Sequence, residues 1–443
     1  MATYSDREAY IPFQRHHLIE LCLQDGQLSG TEQQIFREFC TLLSAYYHFQ
    51  FHHTLEKLKR NYTPFRPHGM ATPFDVLSPE EQQTMEAEFF QQFEQVLEEA
   101  NYYPLSQESL ERAFAERSLI DVNTNIDFQD FDRFLFYCRG DIYQLTTVKR
   151  WFRSVPKEIN SFDRVVLAIK FKDEDYFERK ERKEKTSEKL NFNPGKIYLS
   201  YYKNIPKLDL ELIFPNVRVS MTWKDRLILI GSAIGAAIPL AIKVVPRLLI
   251  VISIILFFTG TLPGMEDLKA REEDVRNLTP VLLASMSLLI TFGRFAFKQY
   301  NSYKNKKIKF QKKVTEALFF KSLASNTSVL SALIDAAEEE ECKEIILVYY
   351  HLLIARRPMS RVQLDNQIEI WMEKKWNTQI DFDINGPLNN LAEVRGTLTG
   401  GQPQDDVPLL TYDEWGNCQL QSLENSLEIL DSLWDNAFNY SHR

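Results

Sequence analysis

The sequence predicts an α+β membrane protein with four parts: a helical N-terminal region, a small antiparallel β-sheet, a transmembrane helical hairpin and a C-terminal winged-helix-like domain. Three observations carry this expectation. An apolar stretch from Leu227 to Phe297, interrupted once, divides a chain in which 26% of residues are charged. Before residue 120, apolar residues recur at helical spacing; after Ile126 they fall into short β-branched and aromatic runs. Past residue 336, three helix-like segments precede a hairpin-like segment and a closing helix. The implied domains are 1–125, 126–222, 223–297, 298–335 and 336–443.

In the N-terminal region, Glu32–Leu58 places Ile35, Phe36, Phe39, Leu42, Leu43, Tyr46 and Tyr47 along one helix face. Ser78-Pro79-Glu80-Glu81 is a helix start, with Ser as N-cap, Pro at the first position and Glu at the third. The first 17 residues contain no apolar core of a leader peptide. Four strands are expected at 131–140, 142–152, 162–171 and 196–202, with the mixed-charge run 172–189 as a solvated loop or exposed helix.

Leu227–Gly260 holds only two charges, Lys243 and Arg247. As one helix its 34 residues would span about 50 Å, more than the ~30 Å hydrocarbon core. Pro239 and Pro246 allow kinks. Thr279–Phe297 is long enough for one pass. Basic residues flank both ends of the stretch, and the connecting loop is acidic, which favours a two-pass hairpin with both termini cytoplasmic. A break at Lys243–Arg247 would give three passes instead. Location is thus expected to be multi-pass, in a bacterial inner or thylakoid membrane. Lys243 and Arg247 lie one helical turn apart, either as an anion or lipid-headgroup site or as side chains snorkelling beside a kink.

Lys298–Ser325 carries eight lysines, among them Lys304, Lys306, Lys307 and Lys309, and reads as a basic helix suited to anionic headgroups. In the last part, Lys343–Arg356, Ser360–Lys375 and Asn385–Val394 are expected helices, 409–421 a hairpin turning at Asp413–Asn417, and Leu423–Phe438 a closing helix. Residues 331–443 contain 20 Asp and Glu against 8 Lys and Arg, a net of −12, and the whole chain carries −9. That charge opposes phosphate contact, so no nucleic-acid partner is expected.

Little in the sequence points to chemistry. His48, His52 and Glu56 recur at four-residue steps, and two His one turn apart can share a metal. There is no H-E-x-x-H and no further ligand fixed by spacing, so half-buried helix histidines are the expectation. Asp381-Phe382-Asp383-Ile384-Asn385-Gly386 begins like a calcium loop, but Ala392 stands where a bidentate Glu is needed. Asp127, Asp130 and Asp132 read as a polar turn. Phosphate-cradling, dinucleotide and nucleophile-elbow motifs are missing, and no cofactor is expected. The five scattered cysteines suit a reducing compartment.

The chain resembles the transmembrane protein 143-like proteins of cyanobacteria, plants and mitochondria. The resemblance rests on REAYIPFQRHHLIELC (7–22), FHHTLEKLKRNYTPFRP (51–67), Arg139-Gly140, YYKNIPKLDLELIFPN (201–216), ALFFKSLASNTSVLSALIDAAEEEECKEIILVYYHLL (317–353) and LDNQIEIWMEKKW (364–376) with IDFDI (380–384). It implies membrane integration and brings no reaction or catalytic residues. The functional expectation is a membrane-anchored scaffold or interaction module, with a lipid bilayer and unknown proteins as partners and a homo-oligomer compatible with the pattern. A transporter or channel component and a membrane-surface enzyme are the alternatives. Pro206, Asp209, Pro215, Lys321 and Asn326 are the expected contact surface between the polar parts.

Overall fold

A computed structural model describes residues 9–67, 77–115, 123–150, 153–184, 190, 192–220, 318–398 and 406–436, with isolated positions between 287 and 315. In chain order the elements are α1 (Arg15–Gln24), α2 (Gly30–Tyr62), α3 (Pro79–Glu99), β1 (Tyr103–Pro104), α4 (Gln107–Ala115), β2 (Asn123–Asn125), β3 (Phe131–Arg150), β4 (Arg153–Phe171), α5 (Glu174–Glu184), β5 (Ile197–Pro206), β6 (Arg218–Ser220) and β7 (Ser322–Ser325). Then follow α6 (Thr327–Ala355), α7 (Arg361–Trp376), α8 (Asn385–Glu393), β8 (Arg395–Gly396), β9 (Val407–Pro408), β10 (Leu410–Tyr412), β11 (Cys418–Leu420) and α9 (Leu423–Asn436). The fold is α+β with a small antiparallel sheet.

The chain divides into two units. Unit 1 holds Met1–Ala115, Phe128–Leu210 and Lys321–Arg443; unit 2 holds Glu116–Asp127 and Glu211–Phe320. Within unit 2, β2 pairs with β6, and Asn216 donates to the Asp127 carbonyl at 2.9 Å.

Unit 1 is built on α6. Its residues from Ile345 to Tyr350 are buried on every side, as an almost unbroken apolar run requires. The α2 stripe Phe36, Phe39, Leu43 and Tyr47 packs in the same core, while Ile35, Leu42 and Tyr46 are half-buried. Phe39 stacks on Tyr349 with centroids 3.9 Å apart. Helices α2, α3 and α7 each begin with a reciprocal capping box, Ser29–Glu32, Ser78–Glu81 and Ser360–Gln363.

The sheet has the order β1-β3-β4-β5-β7, all antiparallel. The strands expected at 131–140 and 142–152 are one strand, β3. Gly140 makes this continuity feasible: its φ is 74°, and a Cβ there would meet the Asp163 Cβ at 2.7 Å. Ser322–Ser325, expected to continue the basic helix, is strand β7 beside β5.

The membrane expectation is corrected. Among the described residues no helix is long and apolar enough to cross a membrane. The two longest helices among the described residues, α2 of 33 residues and α6 of 29, have the length but not the composition. Charges interrupt both: Glu338 to Glu341, Lys343 and Glu344 fall mid-way along α6. A membrane-protein class, a transmembrane helix and a multi-pass location with cytoplasmic termini are therefore not supported. Most of Leu227–Phe297, including Lys243 and Arg247, lies outside the described residues.

Candidate functional site

The most concentrated chemistry is inside unit 1, on the middle turns of α6. Glu340, 2% exposed, accepts from Lys343 at 2.8 Å and from the Ile11 N–H at 3.3 Å, and Arg139 lies 3.5 Å away. Lys343 also donates to the Ile11 carbonyl at 2.6 Å, and Arg139 to the Ala100 carbonyl at 2.9 Å. The Arg139 guanidinium sits over the Tyr10 and Tyr102 rings. Burial pushes the Glu340 carboxyl up and the Lys343 ammonium down, while their mutual attraction pulls the other way. The network ties the N-terminal segment and β3 to α6. Glu340 is shared by both cations, whose remaining bonds go to backbone carbonyls, which fits a structural role.

Beside it lies an acidic group. Burial, with Glu99 and Asp383 nearby, pushes the Glu341 carboxyl up to about 7. Burial holds Glu344 well above the ordinary range, although Asn101 donates to it at 2.7 Å. Asp365 rises to about 6 through burial and the neighbouring Glu369, Asp381 and Asp383. Among the described residues no group of His, Cys, Asp or Glu is arranged to hold a metal.

The residues singled out from sequence fall as follows. His48 pairs with Glu338 at 2.8 Å, and Glu56 pairs with Lys59. Asp383 accepts from the Asn385 N–H at 3.0 Å, a local turn at the start of α8. Asp132 pairs with Lys170, and the buried Asp130 with Lys180. Lys304 is exposed on a helical position, whereas Lys306, Lys307 and Lys309 lie outside the described residues. Pro206, Asp209, Lys321 and Asn326 all belong to unit 1, at different places along and beyond β5. Pro206 ends β5 opposite Ser161, Lys203 donates to the Lys321 carbonyl at 2.8 Å, and the Asn326 N–H to Leu199 at 2.8 Å. Tyr62 braces Asn326 alone of the four, donating to the Ile197 carbonyl and reaching the Asn326 side chain. Burial lowers the Lys321 ammonium, with Asp209 opposing. Pro215 belongs to unit 2.

The surface feature that sequence reasoning missed is built by α7 and the β10–β11 hairpin. One face of α7, Leu364, Ile368, Trp371 and Met372, enters the core. The opposite face presents Val362, Asn366 and Ile370 one turn apart, with Val362 70% exposed. An isolated bridge, Met359 to Cys418, fixes the start of α7 beside the hairpin. Arg361 lies over the Tyr412 ring at 5.4 Å and donates to Asn385.

At the hairpin turn, Asp413 accepts from the Trp415 N–H at 2.9 Å and the Asn417 N–H at 2.8 Å, and Gly416 takes φ 80°. The Asn417 side-chain amide, donating to the same carboxylate at 2.8 Å, together with these backbone bonds holds the Asp413 carboxyl below the ordinary range. The turn thereby displays Trp415, 83% exposed, on a fixed backbone. A large aromatic within Asp-Glu-Trp-Gly-Asn is out of place for turn chemistry, and that was the signal available in the sequence.

A family model described as a protein of unknown function, DUF3754, matches residues 162–328. That match covers the second half of β4 and all of β5 and β7 but ends before most of α6. No solved structure matches the chain.

Proposed function

We propose that this chain is a protein-interaction module that docks a partner through the outer face of α7 and the β10–β11 turn. Trp415 carries the reading. A tryptophan left in water on a hydrogen-bonded turn forgoes about 1.5–3 kcal/mol of burial, and Trp, Tyr and Arg are the residues on which interface energy concentrates. Val362 and Ile370 extend the apolar contact, and Arg361 and Tyr412 join the two parts. Asp413 and Glu414 border the tryptophan, within a region of net −12, so the fitting partner surface is basic with an apolar centre. Kinship with the transmembrane protein 143-like proteins is part of this proposal; it rests on the shared sequence segments and supplies no reaction.

The test is a photo-crosslinking amino acid at position 415, compared with one at the exposed Glu108 on α4. Adducts are expected at 415, in lower yield when Ile370→Ser is also present, and fewer at high salt. Equal adduct yield from positions 415 and 108 would sink the reading.

A further inference from the structure

We propose that a polar cleft in unit 1, remote in sequence from Trp415, binds a small anionic molecule through Arg66 and Lys196, taking its phosphate or carboxylate group. The cleft encloses about 740 Å³, within the range of small-molecule sites. The turn after α2, the first turns of α3, the ends of β3 and β4 and the segment entering β5 form its walls.

The charges around it divide into two sets. Lys170 is neutralised by Glu86 at 2.9 Å and Asp132 at 2.7 Å. Arg133 pairs with Glu94 at 3.0 Å and stacks on Phe90. Arg66 and Lys196 also line the cleft, and neither has a carboxylate partner among the described residues. Lys196 spends one donor on the Pro64 carbonyl at 3.0 Å and keeps two; a guanidinium brings five. Of the lining carboxylates, Glu86 and Asp132 are taken by Lys170, so Asp173 alone remains to offset Arg66 and Lys196, a net of +1 with several unspent donors.

The segments that bear Arg66 and Lys196 are also firmly built. Asn193 donates to the Pro67 carbonyl at 2.8 Å, tying the segment before β5 to the turn that bears Arg66. Gly195, at φ 70°, donates to the Lys172 carbonyl at 3.0 Å; a Cβ there would lie 3.1 Å from the Asp173 carboxylate. Spare donors fixed in place around a concave space are the arrangement that favours a charge-assisted contact with an anion.

The experiment is calorimetric titration of the full chain with inorganic phosphate, pyrophosphate and citrate, which separates the phosphate from the carboxylate source. At least one anion is expected to bind saturably, at one site per chain. Arg66→Ala, which removes no bond among the described residues, and Lys196→Met should each weaken it tenfold or more, with thermal unfolding of Arg66→Ala unchanged. Arg182→Ala on α5 and Trp415→Ala should leave it unaltered, which keeps this outcome separate from the docking proposal. Failure of all three anions to saturate, or wild-type affinity in both cleft variants, overturns the proposal.

Discussion

Glu341 is held on α6 where burial and the acidic neighbours Glu99 and Asp383 oppose its ionisation, so its carboxyl titrates at about 7 in the folded chain. A carboxyl raised on folding binds its proton more tightly in the native state. Its contribution to stability is therefore complete at low pH and is lost as pH rises from the unfolded value towards 7. Asp365, raised to about 6, acts in the same direction. Glu341→Gln removes the titration, and the variant is expected to be more stable than the parent at pH 8 by on the order of 1–3 kcal/mol. The advantage should vanish near pH 4.5. Thermal unfolding of both proteins from pH 4.5 to 8 checks this, and parallel curves across the range would refute it. The same residues show why the centre of unit 1 was hard to read in the sequence. A run of four glutamates reads as a solvated face. Here Glu338 meets Arg15 and His48, Glu340 meets Arg139 as well as its helix neighbour Lys343, and Glu344 meets Asn101, so that all but one of the partners are distant in sequence.

At the scale of elements, local chemistry was legible and long-range pairing was not. Ser78-Pro79-Glu80-Glu81 predicts a helix start because cap and acid lie three residues apart, and the structure forms both bonds. The hairpin turning at Asp413–Asn417 was readable for the same reason. Gly140-Asp141, by contrast, looks like a turn between two strands, and only the packing against Asp163 shows that β3 passes through it. Gly140→Ala should test this: the positive φ and the close Cβ contact together predict a loss of about 2–4 kcal/mol. Chemical denaturation would measure it, and a change below 0.5 kcal/mol would show that the strand does not depend on the glycine. The helix expected at Lys343–Arg356 starts sixteen residues earlier, at Thr327, because the buried partners of its acidic turns pay the desolvation.

For the molecule as a whole, unit 1 draws on three separated pieces of chain. The stacking of Phe36 and Phe39 on Tyr349 and Tyr350 joins α2 to α6 across some three hundred residues. A chain ending at residue 220 should therefore lack a cooperative core: we expect helical far-ultraviolet dichroism with little near-ultraviolet signal, and a sigmoidal thermal transition in that fragment would contradict this. The apolar stretch dominates the sequence and drew the fold class towards the membrane, whereas no helix among the described residues is suited to crossing one.

Strand β7 gives this architecture an order in time. Its partner β5 ends at Pro206, and β7 begins at Ser322, with α6 directly after it. On a ribosome adding roughly 5–20 residues per second, the finished strands β3, β4 and β5 wait on the order of 6–23 s for the last strand to emerge. During that interval the β5 edge has unpaired N–H and C=O groups and the stripe on α2 has no cover. Synthesis thus imposes a vulnerable interval on nascent unit 1, during which a chaperone would have most to protect.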